Sequence, residues 1–253
     1  MMHSNFKILI ILLLLSNSFH LQAQVWDNDN SGKVLLLNFG YGPQIPMGDL
    51  ADRFNMNWAP EISFEFMTEK NWVLGVQTQY LFGNDVKEDV LTNLRTEQGD
   101  IIGNDRSPAD IFLRERGFYV GLRLGRLFTM SKDNPRSGIR INFGAGLLQH
   151  WIRIQDDPFR DVIQLSTEYK KGYDRLTNGL TLHQFIGYQL IGKGNGMNFT
   201  GGFEFFEGFT QNRRSINFDT QMQDTSKRLD ILTGFRLSFT LPFYIGNGEE
   251  IYY

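Results

Sequence analysis

GFYVGLRLGRLFTMSKDNPRSGIRINFGAGLL, residues 117–148, reads as two strands joined by a turn. In the first arm Phe118, Val120, Leu122 and Leu124 alternate with Tyr119, Gly121, Arg123 and Gly125. In the second, Ile139, Ile141, Phe143, Ala145 and Leu147 alternate with Arg140, Asn142, Gly144 and Gly146. A period of two puts each set on one face of an extended strand. Between the arms, Ser131 to Ser137 carries Asp133-Asn134-Pro135, which is turn chemistry. One face is apolar but for Arg126; the other mixes glycine with charge. A soluble sandwich alternates too, with its apolar face inward, so the period alone does not say where that face points.

The pattern spreads outward from this hairpin to eight segments. Leu35, Leu37, Phe39 and Tyr41 oppose Asn38, Gly40 and Gly42; Ile62, Phe64 and Phe66 oppose Glu61, Ser63 and Glu65. Trp72, Leu74, Val76 and Tyr80 oppose Gly75, Gln77 and Gln79. Leu180, Leu182, Ile186 and Leu190 oppose Thr181, His183, Gly187 and Gln189; Phe199, Phe203 and Phe205 oppose Asn198, Thr200, Gly202 and Glu204. The last segment sets Leu229, Ile231, Phe235, Leu237, Phe239 and Leu241 against Asp230, Gly234, Arg236, Ser238 and Thr240. Gln184 and Arg126 interrupt the apolar face. Strands of about ten residues suffice to cross an outer membrane at a tilt.

The connections alternate in length. Thr68 to Asn71, Ser131 to Ser137 and Gly192 to Gly196 are short; Asn84 to Arg116, Ile152 to Asn178 and Gln211 to Arg228 are long. Short turns on one rim and tall loops on the other are the topology of an outer-membrane barrel. Tyr41, Trp58, Trp72, Tyr80, Phe82, Trp151 and Phe209 sit near segment ends, where interfacial girdles belong. The fold expected is all-β: an eight-stranded antiparallel up-and-down transmembrane β-barrel with long extracellular loops, in the cell outer membrane.

Composition agrees. The 253 residues are 41% hydrophobic, with 22 Phe and 26 Gly, and beyond the N-terminus no apolar run is long enough for a membrane helix. A net charge of -3 gives no footprint for nucleic acid. With no cysteine, disulfides, thiol catalysis and Cys-based zinc sites are excluded. His3 and Lys7, the aliphatic run Ile8 to Leu15, then Leu21-Gln22-Ala23 form the three parts of a secretory signal, with Gln24 the first mature residue. The expected organisation is a signal peptide over 1–23, a short lead over 24–32, the barrel over 33–243 and a periplasmic tail over 244–253. In the lead, Asp27-x-Asp29-x-Ser31-Gly32 begins like a calcium loop, but Asn38 stands where the bidentate Glu is required.

Gly234-Phe235-Arg236-Leu237-Ser238-Phe239 resembles the terminal-strand signal of outer-membrane barrels, although Leu232 replaces the polar residue expected two positions before the Gly and the chain continues to Tyr253. Pro43-Gln44-Ile45-Pro46-Met47-Gly48-Asp49-Leu50 resembles the first-loop Pro-x-Gly-Asp turn of Bacteroidota-type outer membrane β-barrel proteins. With the signal, eight strands and tall loops, the mature chain resembles the small eight-stranded OmpA/OmpX-like group. That resemblance implies the fold and the compartment. Its members range from structural barrels to accessory subunits of envelope machines such as secretion or barrel-insertion systems, so it implies no single activity.

An eight-stranded lumen is just wide enough for side chains to fill it. Glu61, Glu65, His183, Glu204 and Asp230 face inward with Arg123, Arg140 and Arg236, and are expected to pair as a polar plug; a narrow pore is the alternative. No cofactor, metal or catalytic residue is expected. His150 with Asp156-Asp157, or either histidine with Ser166 or Ser215, supplies ingredients for hydrolysis without a spacing that joins them. The loops are richer than solvation requires. Leu91, Leu94, Ile101, Ile102, Ile111, Phe112 and Leu113 lie in one, and Phe159, Val162, Ile163, Leu165, Tyr169 and Tyr173 in another. They either pack on each other as a cap or bind another protein. Candidate partner contacts are Ile101, Ile102, Phe112, Phe159, Tyr169, Tyr173, Arg213, Arg214, Tyr252 and Tyr253. The expected partners are outer-membrane lipid and proteins of the membrane, cell surface or periplasm. The expected role is a non-enzymatic accessory subunit, with a stand-alone structural or lipid-recognising barrel as the alternative.

Overall fold

A computed structural model describes residues 32–193 and 196–245. The signal segment, most of the lead and the end of the tail, including Tyr252 and Tyr253, lie outside the described residues. The strands are β1 (Lys33–Tyr41), β2 (Pro43–Gly48), β3 (Asn57–Trp58), β4 (Glu61–Met67), β5 (Trp72–Gly83), β6 (Ile101–Ile102), β7 (Pro108–Ala109), β8 (Phe112–Thr129), β9 (Gly138–Gln155), β10 (Thr177–Ile191), β11 (Asn198–Asn212) and β12 (Lys227–Ile245). All but the β6–β7 pair form one antiparallel sheet, and β1 against β12 closes it into a ring. β2 continues the wall of β1 along β12, and β3 leads into β4, so the ring has eight walls. An eight-walled closed ring leaves no sheet edge to satisfy, which is the condition lipid imposes on strands.

Several boundaries differ from expectation, and β12 runs to Ile245, two residues past the expected end of the barrel at 243. Pro43 to Gly48 is wall, not loop: it pairs with Asp230 to Gly234 on β12. The bend that carries β1 into β2 falls at Gly42, where a Cβ would lie 1.9 Å from the Phe235 carbonyl oxygen. Only a residue without a side chain permits that approach. The long loops are also shorter than expected, because β8 starts at Phe112, β9 runs to Gln155 and β10 starts at Thr177. Those walls pair beyond the apolar band, with Arg114 opposite Arg153. At the other rim the Thr68 to Asn71 turn is closed by Asn71 N donating to the Thr68 carbonyl at 3.0 Å, with Asn71 at φ 63°. Asn tolerates that left-handed conformation better than most residues.

Polarity is inverted relative to a soluble protein. Leu122 and Phe143 are each 63% exposed on the outside, while Glu65 and Thr181 are fully buried inside. Outward residues from Phe128 to Phe118 on β8 are apolar except Arg126. Ten residues at about 3.3 Å each, tilted about 40°, span roughly 25 Å, the height of an outer-membrane apolar band. Arg126 stays outside by lying over the Trp72 and Phe128 rings, 5.3 and 5.6 Å from their centroids. Its stem thus shares the aromatic boundary at the short-turn rim. Gln184 also lies on the outer face.

The interior is layered. At the short-turn end Val34, Leu36, Met67, Val73, Leu127 and Ile191 form one apolar cluster. A larger one fills the loop end, from Tyr119, Leu148, Phe206 and Leu232 up to Val90, Leu91, Ile101, Leu165 and Tyr173. The charged residues lie between them. Inward glycines give the large side chains room: a Cβ on Gly121 would lie 2.2 Å from the Tyr119 hydroxyl.

Candidate functional site

The middle layer is a chain of alternating charges drawn from five walls. Arg140 Nη2 donates to Glu65 at 2.6 Å, and Arg123 bridges Glu65 at 2.8 Å and Glu61 at 2.7 Å. Arg236 Nε lies 2.9 Å from Glu61, and its guanidinium grips both oxygens of Glu204. Three carboxylates and three guanidiniums therefore cancel in an interior where an unmatched charge is expensive. Amides complete the shell. Gln44 Nε2 donates to Glu204 at 2.7 Å, Gln79 Nε2 to Glu61 and to Glu204 at 3.2 Å each, and Arg140 Nη1 to Gln189 at 2.9 Å. His183 sits at the edge of this layer, its Nδ1 3.1 Å from Gln77 Nε2 and its ring stacked on Phe206 at 4.4 Å.

Seven of the eight inward residues singled out from sequence meet here; Asp230 does not. It lies nearer the loop end, bound by His150 Nε2 at 2.8 Å, by the Thr210 hydroxyl, and by Arg228 Nε at 3.4 Å. The reason is register: Asp230 pairs with Gly48 near the end of β2, whereas Arg236 lies six residues further along β12. Gln44 escaped the sequence reading, although the alternation of Gln44 with Ile45 and Met47 continued across the two prolines.

Side chains fill the lumen at the level of this belt. A cavity of about 10 Å³ between Glu61, Arg123, His183 and Arg236 holds at most one water. An apolar cluster lies on either side of the belt. Planar-bilayer recordings of the folded protein are expected to show no current steps above background. Reproducible steps would mean that the interior layers open. Asp156 and Asp157 do not meet His150, whose carboxylate partner is Asp230. His150 is buried edge-on against Phe54 at 5.6 Å. Asp156 pairs with Lys170, and Asp157 accepts the backbone N–H groups of Asp110 and Phe159 at 3.1 and 2.8 Å. Among the described residues no group of His, Asp and Glu is arranged to hold a metal.

Above the lumen the outer loops form a cap. Arg175 Nε donates to Glu88 at 2.6 Å and its other nitrogens hold Asp219; Arg53 Nε donates to the second Glu88 oxygen at 2.7 Å. Arg53 also donates to Thr177 at 3.1 Å, and Asn93 to the Asp219 carbonyl at 2.6 Å. The connection from β2 to β3, which carries Arg53, and the three long loops thus meet at two carboxylates. Burial pushes the Glu88 carboxyl up, but Arg53 and Arg175 outweigh it and hold it below its ordinary range. Beside this clasp lies an open cup of about 490 Å³ lined by Asp52, Arg53, Glu88, Arg175, Asp224 and Arg228.

The residues proposed as contacts divide. Ile101 and Tyr173 are buried in the cap core, and Ile102 and Phe112 are exposed on its flank. Phe159 is 91% exposed, with Ile163 at 68% and Tyr169 at 55% on the same loop. Arg213 donates to the Asn178 side chain at 2.6 Å, and Arg214 holds Asp174.

A closed eight-walled ring, apolar outside and charge-filled within, defines a small transmembrane β-barrel. Among solved structures the chain is similar to Neisserial surface protein A, at 10% identity and TM-score 0.44, over 84% of this chain and 100% of that one. It is similar to Ail, the attachment invasion locus protein of Yersinia pestis, at 7% identity and TM-score 0.41, over 83% and 99%. The N-terminal β-barrel domain of Pseudomonas aeruginosa OprF matches at 11% identity and TM-score 0.35, over 83% and 98%. No family model matches the chain. No curated protein matches it.

Proposed function

We propose that this chain is a sealed, non-enzymatic barrel of a bacterial outer membrane that serves as an accessory subunit of a larger envelope assembly, such as barrel-insertion or secretion machinery. Its outer loops are the contact surface and its C-terminal tail, with Tyr252 and Tyr253, a second one. The observation that carries this reading is Phe159, 91% exposed on a loop whose neighbours are already tied into a cap. A cap that holds itself together has no folding use for a phenylalanine left this exposed, whereas an interface uses such side chains as anchors. Short turns opposite tall loops support the outer membrane, with the cap outside. The filled lumen argues against transport.

The reading predicts that Phe159→Ser with Ile163→Ser leaves a folded barrel but lowers co-purification of its partner at least about tenfold. Native membranes extracted in mild detergent give the measurement. A wild-type barrel with no stoichiometric protein partner would end this proposal. A second reading, a stand-alone lipid-recognising barrel, is favoured by Arg114 lying opposite Arg153 on the outer face, with neither in a salt bridge among the described residues. Like charges directly opposite repel unless an anion lies between them. Phosphate-bearing headgroups of the outer leaflet have the required charge.

A further inference from the structure

The lipid-facing side of β10–β12 breaks its own pattern. Outward positions on β11 run Phe199, Gly201, Phe203, Phe205, Glu207 and Phe209. Glu207 lies opposite Leu182 on β10 and Ile231 on β12, both outward and apolar. Gln184, opposite Phe143 and Phe205, is exposed two residues along β10 from Leu182. Both polar residues lie inside the band: Leu180 and Phe209 are above them, Ile186 and Phe203 below. Neither side chain has a hydrogen bond or ion pair with any described residue. No other carboxylate occupies an outward position of the described strands. Hydrocarbon tails offer no donors, so a carboxyl group here is unfavourable until a protein group meets it.

We infer that this wall is the seam of a side-by-side pair of copies of this chain, in which Gln184 of each copy donates to Glu207 of the other. The patch holds a donor and an acceptor one diagonal step apart, about 7–8 Å between backbones and within reach of two long side chains. A two-fold axis along the membrane normal satisfies both groups twice, which is how an isologous interface works. A second copy brings the matching donor and acceptor already present on this face. The apolar surround suits close packing. Phe203 is 66% exposed beside Gly201, where a Cβ would meet nothing closer than 3.4 Å, so the outer face has a knob next to a notch. This inference is independent of the outer loops.

The chain has no cysteine, so one introduced thiol can form a disulfide only between two polypeptides. Leu182→Cys places it on the seam, and Val76→Cys, 49% exposed on β5, places it across the ring. Oxidation of the full chain in outer membranes is expected to give a homodimer from L182C at a yield at least about tenfold above V76C. Adding Glu207→Leu should lower the L182C yield by about tenfold, and adding Gln184→Leu should do the same. Glu207→Gln, which can still form the contact, should retain most of it. E207L should leave thermal stability of the barrel unchanged or raised, because it removes a lipid-facing carboxyl; a residue needed only for folding would lower it. If E207L does not fold, the Q184L arm decides. The inference is overturned if folded L182C stays monomeric, if it cross-links no better than V76C, if it captures a different polypeptide, or if folded E207L and Q184L leave the yield unchanged.

Discussion

Glu65→Leu is expected to destabilise the barrel by about 3–5 kcal/mol, the range for removing one partner of a buried ion pair. Glu65 is fully buried and accepts from Arg140 at 2.6 Å and Arg123 at 2.8 Å. Its loss leaves Arg123 with Glu61 and leaves Arg140 with the neutral Asn142 and Gln189. The belt then carries one uncompensated positive charge between two apolar clusters. Leucine introduces no new charge, so the charge left on Arg140 is the main source of the loss. The double variant Glu65→Leu/Arg140→Met removes one charge of each sign and is expected to recover most of the loss. Replacing a buried pair by apolar groups is often neutral, although breaking it is not. Urea unfolding of lipid-refolded protein, followed by tryptophan fluorescence, measures both. A single-variant loss below about 1 kcal/mol, or additive effects in the double variant, would remove the belt as a source of stability.

The walls of the barrel were legible in sequence because a lipid-facing strand must alternate wherever it crosses the apolar band. Outside that band the signal fades. Arg114, Glu115 and Arg116 are polar on both faces, so nothing in the pattern shows that β8 already begins at Phe112. Pro43 and Pro46 made β2 look like a loop, yet a wall tolerates them where the chain bends past Gly42. The belt was legible as a set of inward acids and arginines but not as pairs. Arg123 and Arg140 reach carboxylates 58 to 75 residues away, and which ones meet depends on register. Glu207 was hidden differently: it lies on the apolar face between two phenylalanines, where a reading by period expects no charge. The cap was legible only as surplus aliphatic content, realised as the packing of Val90, Leu91, Ile101, Leu165 and Tyr173. Its clasp is made of single charges scattered through four loops, with no local pattern.

That clasp carries the second large effect. Arg175→Ala should open the cap and leave the barrel intact. Arg175 is the side chain that salt-bridges both Glu88 and Asp219, and it is 6% exposed; Asn93 adds only a neutral hydrogen bond between those two loops. It also holds φ 52°, a left-handed conformation that alanine does not favour. Losing the cation leaves Glu88 with Arg53 and strips Asp219 of its guanidinium. A local loss of about 3 kcal/mol corresponds to roughly a hundredfold rise in the open population. Proteolysis of the outer loops tracks that population, so cleavage should accelerate by about the same factor. Resistance of the strands should not change. Acid should mimic the variant. Glu88 titrates below its ordinary value of 4.5 because Arg53 and Arg175 overcome its burial. A depressed carboxyl contributes stability that is complete above its unfolded pKa and lost as pH falls through the folded one. Loop cleavage should therefore be slow and flat above about pH 5, and should rise as the pH falls below the ordinary Glu range. In Glu88→Gln, which cannot titrate, loop cleavage should already be faster at neutral pH and the acid-dependent rise should shrink. A wild-type cap that stays closed through that acid range, or an R175A cap as resistant as wild type, would show that the apolar core and not the clasp holds the loops.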